Sequence, residues 1–195
     1  MDIIQANNSA QIDFKLAFEK LNDELSRIGQ SLTLVCAGGY VMQMNGYRGT
    51  ADIDAFYKSN ADIESIIRKV GDECELNKPD ELWLNNSIAN MNPEPPDEYC
   101  EPVYSFSNLM VKAVSIMYLI GMKLESGREQ DLIDAGTILK NEKHENPVGL
   151  LKILISMKFH IDISSILDVF EKAHGMEWLE EFYLSNQEEL REFFS

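Results

Sequence analysis

The chain has 195 residues, of which 45% are hydrophobic and 26% charged, with three cysteines and a formal net charge of −16. That length suits a small α/β core with a helical appendage, and no apolar run of about 18 residues exists to form a transmembrane helix. The charge disfavours a large nucleic-acid partner, since such binding rests on Lys and Arg neutralising phosphates, and it fits a small nucleotide carried with a cation or a basic protein partner.

The N-terminus, MDIIQANNSAQIDF, has neither a basic leader nor a long apolar stretch, so a cytoplasmic location without membrane attachment is expected. Cys36, Cys74 and Cys100 are far apart and show no CxxC spacing, which argues against a zinc site or a disulfide framework. From Asp13 to Ile28, apolar residues recur at helical spacing and Gly29 follows as a stop. Ser31 to Ala37 is short, apolar and partly β-branched, and reads as a buried strand ended by Gly38-Gly39. Tyr40 to Asn45 reads as a short helix, Asp52 to Tyr57 as a second strand, and Asn60 as the opening of a helix running to about Val70. Pro79 to Met91 reads as another short helix, and Asn92 to Asp97 as a proline-rich loop. Tyr99 to Phe106 and Leu109 to Val114 read as strands joined across Ser107-Asn108. A helix is expected from Ile116 to Glu125 and, beyond Gly127, another to about Leu139. After a charged linker, Val148 to Phe194 reads as three or four amphipathic helices with junctions at Gly175 and Ser185-Asn186. The order implies an α+β fold: a small mixed sheet flanked by helices over 1–140, then a helical region over 141–195.

Chemistry concentrates where Gly38-Gly39 is followed, twelve residues on, by Asp52-Ile53-Asp54. On a strand, residues i and i+2 point to one face, so Asp52 and Asp54 project two carboxylates together while Ile53 points into the core. Like charges so close repel, and a cation between them relieves the cost. Mg²⁺ takes carboxylate oxygens and leaves positions for substrate phosphates. Glycines after a strand let the backbone turn with positive φ and approach a ligand closely. Arg48 and Thr50 lie just upstream, and Arg48 could offset the carboxylates or meet phosphate. Taken singly, Asp-x-Asp is also common at exposed strand ends, and Gly-Gly is usually a turn.

The stretch VCAGGYVMQMNGYRGTADIDAF resembles the nucleotidyltransferase superfamily of polymerase-beta type, whose signature is an apolar strand, Gly-Gly or Gly-Ser, then Asp-x-Asp on the next strand. The Arg-x-Thr-x-Asp-Ile-Asp form resembles the bacterial branch that includes abortive-infection and toxin–antitoxin nucleotidyltransferases. A second stretch, Tyr118 to Asp134, resembles that branch in its Met-Lys-Leu, Gly-Arg and Asp-Leu-x-Asp pattern. The resemblance covers roughly residues 30 to 140. It implies a Mg²⁺-dependent transfer of a nucleotidyl group from a nucleoside triphosphate to an unknown hydroxyl acceptor. Asp52 and Asp54 would hold the metal, Gly38, Gly39, Arg48 and Thr50 would flank the nucleotide, and Lys123 would bind its phosphates. Asp131 would orient Lys123 or serve as a base, and Asp134 would be structural. Read from the residues alone, Lys123 is equally a snorkelling lysine on a core helix, and Arg128, Asp131 and Asp134 a surface set of ion pairs.

One departure bears on turnover. Active members of the superfamily often carry a third carboxylate on a later strand, but Leu109 to Val114 offers Lys112, with Glu101 the nearest acid upstream. The alternative is therefore a catalytically weak binding module that acts through a protein partner. Asn85 or Asn86 could meet a base or ribose, or simply cap a turn. His144, His160 and His174 show no metal spacing. In the tail, Glu177, Glu180, Glu181, Glu188, Glu189 and Glu192 form an acidic face, either solvated or partner-facing, with Trp178, Leu179, Phe182 and Tyr183 expected to pack inward.

Overall fold

The computed structural model describes residues 12–90 and 92–194, and the side chains of Glu189 and Glu192 lie outside what it describes. The chain divides after Ser115 into two compact units.

The first unit is α+β. Helix α1 (Lys15–Arg27) leads into β1 (Leu32–Cys36), α2 (Gly38–Met44), β2 (Ile53–Phe56) and α3 (Ala61–Glu73). There follow β3 (Leu84–Asn85), 3-10 turns at Ser87–Asn90 and Asp97–Tyr99, β4 (Cys100–Ser105) and β5 (Leu109–Val114). The five strands form one mixed sheet in the order β3-β2-β1-β5-β4. The pairs β1–β5 and β2–β3 are parallel, and β1–β2 and β4–β5 antiparallel.

Alternation along the strands divides the side chains cleanly. Leu32, Leu34, Cys36, Ile53, Ala55, Leu109 and Val111 face one way and join Phe18, Leu21 and Leu25 of α1 and Ile63, Ile67 and Val70 of α3 in a single buried cluster. The other face carries Thr33, Val35, Asp54, Phe56, Met110 and Lys112, as the register pairs Val35 with both Phe56 and Lys112. Asn60 opens α3 as its spacing predicts, accepting hydrogen bonds from the amides of Asp62 and Ile63 at 3.0 Å each.

The segment read as a helix over Pro79 to Met91 is not one over its described residues. Its centre is β3, and the cause is tertiary. The Trp83 indole donates to the Ile67 carbonyl at 2.9 Å, fixing the ring on α3, while the Trp83 carbonyl accepts from Ile53 N–H at 2.7 Å. A main chain committed to the β2 ladder has no i−4 partner left to make helix.

The second unit is all helical: α4 (Ile116–Ser126), α5 (Glu129–Asn141), α6 (Pro147–Ser156), α7 (Ile163–His174), α8 (Met176–Ser185) and α9 (Gln187–Phe194). Sequence patterning draws its boundary at 140, whereas packing groups α4 and α5 with the later helices, since α5 lies against both α4 and α7. Gly175 turns the chain between α7 and α8 at φ +94°, a conformation that favours glycine. In the tail, Trp178 and Phe182 stack on each other and Trp178 on Phe170, at ring separations of 5.4 and 5.5 Å. Tyr183, expected to point inward, is instead 49% exposed, and neighbouring Leu184 is 69% exposed. A helix at 100° per residue sets 178 and 182 on one face and turns 183 away from it. Among the described residues, no helix is long and apolar enough to cross a membrane.

Candidate nucleotide and metal site

The first unit builds the loop between β1 and β2 around its two glycines. Gly38 takes φ +57°, which costs an ordinary side chain strain and glycine little. A methyl group there would also stand 3.1 Å from Asp54 Oδ2. At Gly39 a methyl would stand 2.5 Å from Thr50 Oγ1 and 3.5 Å from an Arg48 guanidinium nitrogen. Gly38 is thus favoured by its backbone conformation and Gly39 required by close approach, and their neighbours are Asp54 at Gly38 and Thr50 and Arg48 at Gly39.

Asp52 lies one residue ahead of β2 and Asp54 within it, each half-buried. Thr50 Oγ1 lies 3.1 Å from the Asp52 carbonyl and 3.2 Å from its carboxylate Oδ1, able to donate to either. The Asp54 carbonyl accepts from Ala37 N–H at 2.9 Å, closing the ladder immediately before Gly38. The arrangement brings Asp52 and Asp54 against the glycine turn, one through Thr50 and one directly.

Gln43 also belongs here, and the sequence reading passed over it. Its Oε1 accepts from Thr50 N–H at 3.0 Å and its Nε2 donates to the Ile12 carbonyl at 2.7 Å. Gln43 is four residues after Gly39 on α2, hence on the same helix face. That spacing is the signal that would have found it.

The third acid is decided by register. Glu101 pairs with Ala113, Ala113 with Cys36, and Cys36 with Ala55, the neighbour of Asp54. Glu101 therefore stands on the sheet face opposite Asp54. Lys112 shares the Asp54 face and gives its ammonium to Asp97. Among the described residues, no group of three or more His, Cys, Asp or Glu is gathered as a metal site. Two half-buried carboxylates are nonetheless hard oxygen donors of the type that Mg²⁺ takes, with room in its shell for phosphate and water.

The second unit holds Lys123, Asp131 and Asp134. The Lys123 side chain is 4% exposed, and its Nζ lies 2.9 Å from Asp131 Oδ1 and 2.7 Å from Asp134 Oδ2. Asp131 Oδ2 accepts from Ser126 Oγ at 2.5 Å and Arg128 Nε at 2.7 Å, and Asp134 Oδ1 accepts from Gln130 Nε2 at 3.1 Å. Burial alone would raise the Asp131 carboxyl, but hydrogen bonds from Ser126, Lys123 and Arg128 outweigh it and hold the group below its usual range. This cluster ties α4 to α5.

No family model matches the chain, and neither a curated protein nor a solved structure matches it.

Proposed function

We propose that the chain is a nucleotidyltransferase-like cytoplasmic protein that binds a nucleoside triphosphate with Mg²⁺ at Asp52 and Asp54 and transfers its nucleotidyl group to a hydroxyl acceptor. The observation that carries this reading is the packing of both glycines against the acidic pair: Gly38 against Asp54 Oδ2, and Gly39 against the Thr50 hydroxyl that meets Asp52. A ligand seated over that turn meets bare backbone and two carboxylates at once.

Each residue has a task. Thr50 fixes the Asp52 carboxylate, and Gln43 fixes Thr50. Arg48, beside Gly39, supplies positive charge where phosphate would enter. Bound Mg²⁺ would neutralise charge that develops on the transferring phosphate. In the transfer, the acceptor oxygen bonds to the α-phosphorus, the bond from that phosphorus to the pyrophosphate oxygen breaks, and the hydroxyl proton is released to water. The three donors on Asp131 favour the first of its two implied roles, holding Lys123, over that of a base.

A second reading rests on Glu101 and Lys112. With the nearest upstream acid on the opposite sheet face and a lysine on the near one, the same site would bind nucleotide and turn it over weakly or not at all, acting through a protein partner. Calorimetric titration with ATP, GTP, CTP and UTP, with and without Mg²⁺, on the wild type and Asp52→Ala tests the site. Mg²⁺-dependent binding that the variant loses supports both readings, and product formation in an acceptor screen separates them. A wild type that binds no triphosphate overturns both.

A further inference from the structure

Asn85 is the residue that the strand ladder sets beside Asp54. Strand β3 runs parallel to β2, with Leu84 opposite Ile53 and Asn85 opposite Asp54. Paired residues on neighbouring strands share a face, and the strands lie about 4.8 Å apart. Leu84 goes with Ile53 into the core, both 0% exposed. Asn85 goes with Asp54 to the other face, where both are half-buried.

Its neighbour fixes the orientation of the Asn85 amide. Ser87 donates its main-chain N–H to Asn85 Oδ1 at 3.1 Å and its hydroxyl to the same oxygen at 2.5 Å. A main-chain N–H can only donate, so the oxygen faces Ser87 and Nδ2 is the atom turned away. None of the described residues accepts a hydrogen bond from that Nδ2. The turn at Ser87 needs only an acceptor, which serine or aspartate would also supply. What asparagine adds over either is a neutral amide donor, one strand from an acidic pair.

We propose that Asn85 contacts substrate in the Asp52–Asp54 site, its Nδ2 donating to a phosphate oxygen of the bound triphosphate; this rests on the nucleotide reading above. Phosphate is the fitting acceptor because a cation held by Asp54 draws phosphate oxygens to that strand, and a neutral donor there adds no carboxylate repulsion.

The test uses the full chain with Mg²⁺, titrated with ATP and with inorganic tripolyphosphate. Asn85→Ser keeps a neutral capping oxygen and removes the amide donor. Asn85→Asp keeps the near-isosteric acceptor and replaces the donor with negative charge, which covers the case where serine disturbs the turn. Both variants are expected to hold the wild-type thermal midpoint and to bind both ligands about tenfold or more weakly, the loss of one hydrogen bond to a charged group. Wild-type affinity in Asn85→Ser overturns the assignment, and so does a loss confined to ATP, which would move the contact to sugar or base. If Asp54→Asn abolishes binding while Asn85→Ser does not, the nucleotide reading stands and only Asn85 falls. If Asp54→Asn binds like the wild type, both fall.

Discussion

Gly38 and Asp54 meet closely: a methyl on Gly38 would lie 3.1 Å from Asp54 Oδ2, tight enough to shift that carboxylate slightly, and the glycine already sits at φ +57°. Gly38→Ala therefore carries the left-handed penalty of about 1–2 kcal/mol. Gly39→Ala acts differently, since its methyl would stand 2.5 Å from Thr50 Oγ1 and 2.9 Å from Thr50 Cβ. Overpacking of that kind costs about 1–3 kcal/mol. It also pushes Thr50 off Asp52. Urea denaturation should show both variants destabilised, and Mg²⁺–triphosphate titration should show Gly39→Ala weakened beyond what its remaining folded fraction explains. A Gly39→Ala protein of unchanged stability would mean that Thr50 does not hold that position.

Removing a carboxylate tests the metal assignment directly. Asp52 and Asp54 are both half-buried, and Asp54→Ala removes a proposed ligand to the cation while Asp52 keeps its contact with Thr50. The expected outcome is a folded protein that has lost Mg²⁺-dependent binding. Binding retained in a well-folded Asp52→Ala, Asp54→Ala double variant would sink the metal assignment.

The acidic pair and the glycine turn were legible in the sequence because their geometry is local. The Asp-x-Asp spacing shows at the start of the second strand, although Asp52 falls one residue ahead of β2, and Gly38-Gly39 marks its own turn. Glu101 was not legible: its face depends on pairing across β5 and on a register shift between Pro102 and Tyr104, which no spacing within β4 reveals. Trp83-Leu84-Asn85 read as helix because two residues are too short a strand to show periodicity. Its conformation is imposed by Ile67 and Ile53 from outside the segment. The role of Asn85 follows from that missed pairing.

Gln43 gives a prediction on positioning. Its side-chain oxygen accepts from Thr50 N–H, and Thr50 in turn meets Asp52. Gln43→Leu keeps the volume and helix preference while leaving a part-buried amide unsatisfied, at a cost of about 1–3 kcal/mol. Mg²⁺-dependent triphosphate affinity should fall, while Gln43→Glu, which keeps the acceptor, should lose less. Equal affinity in all three proteins would confine Gln43 to a structural role.

The tail offers a contrast between Phe170, on α7 against α8, and Leu184, on α8 itself. Phe170 is fully buried and carries the Trp178 stack, so Phe170→Ala should cost about 3–5 kcal/mol. Leu184, 69% exposed, should tolerate alanine within about 0.5 kcal/mol. Chemical denaturation of the two variants checks this, and a large loss from Leu184→Ala would mean that its surface is covered in solution.

Lys123 joins α4 to α5 through a buried ion-pair cluster. Its side chain is 4% exposed and its ammonium sits between Asp131 and Asp134, so Lys123→Met removes the cation shared by two buried carboxylates, leaves Asp131 with Arg128, and should cost about 3–5 kcal/mol. The pH dependence follows from Asp131, whose folded carboxyl is held below its unfolded value: burial opposes this, and the bonds from Ser126, Lys123 and Arg128 prevail. A depressed carboxyl contributes its stability in full above the unfolded value, about 4, and loses it as pH falls from there through the folded value. Thermal midpoints measured from neutral pH downward should hold steady and then fall in that window. Asp131→Asn cannot titrate, so it should start lower at neutral pH and fall less steeply on acidification. A variant whose midpoint falls in parallel with that of the wild type would show that other carboxylates govern acid unfolding.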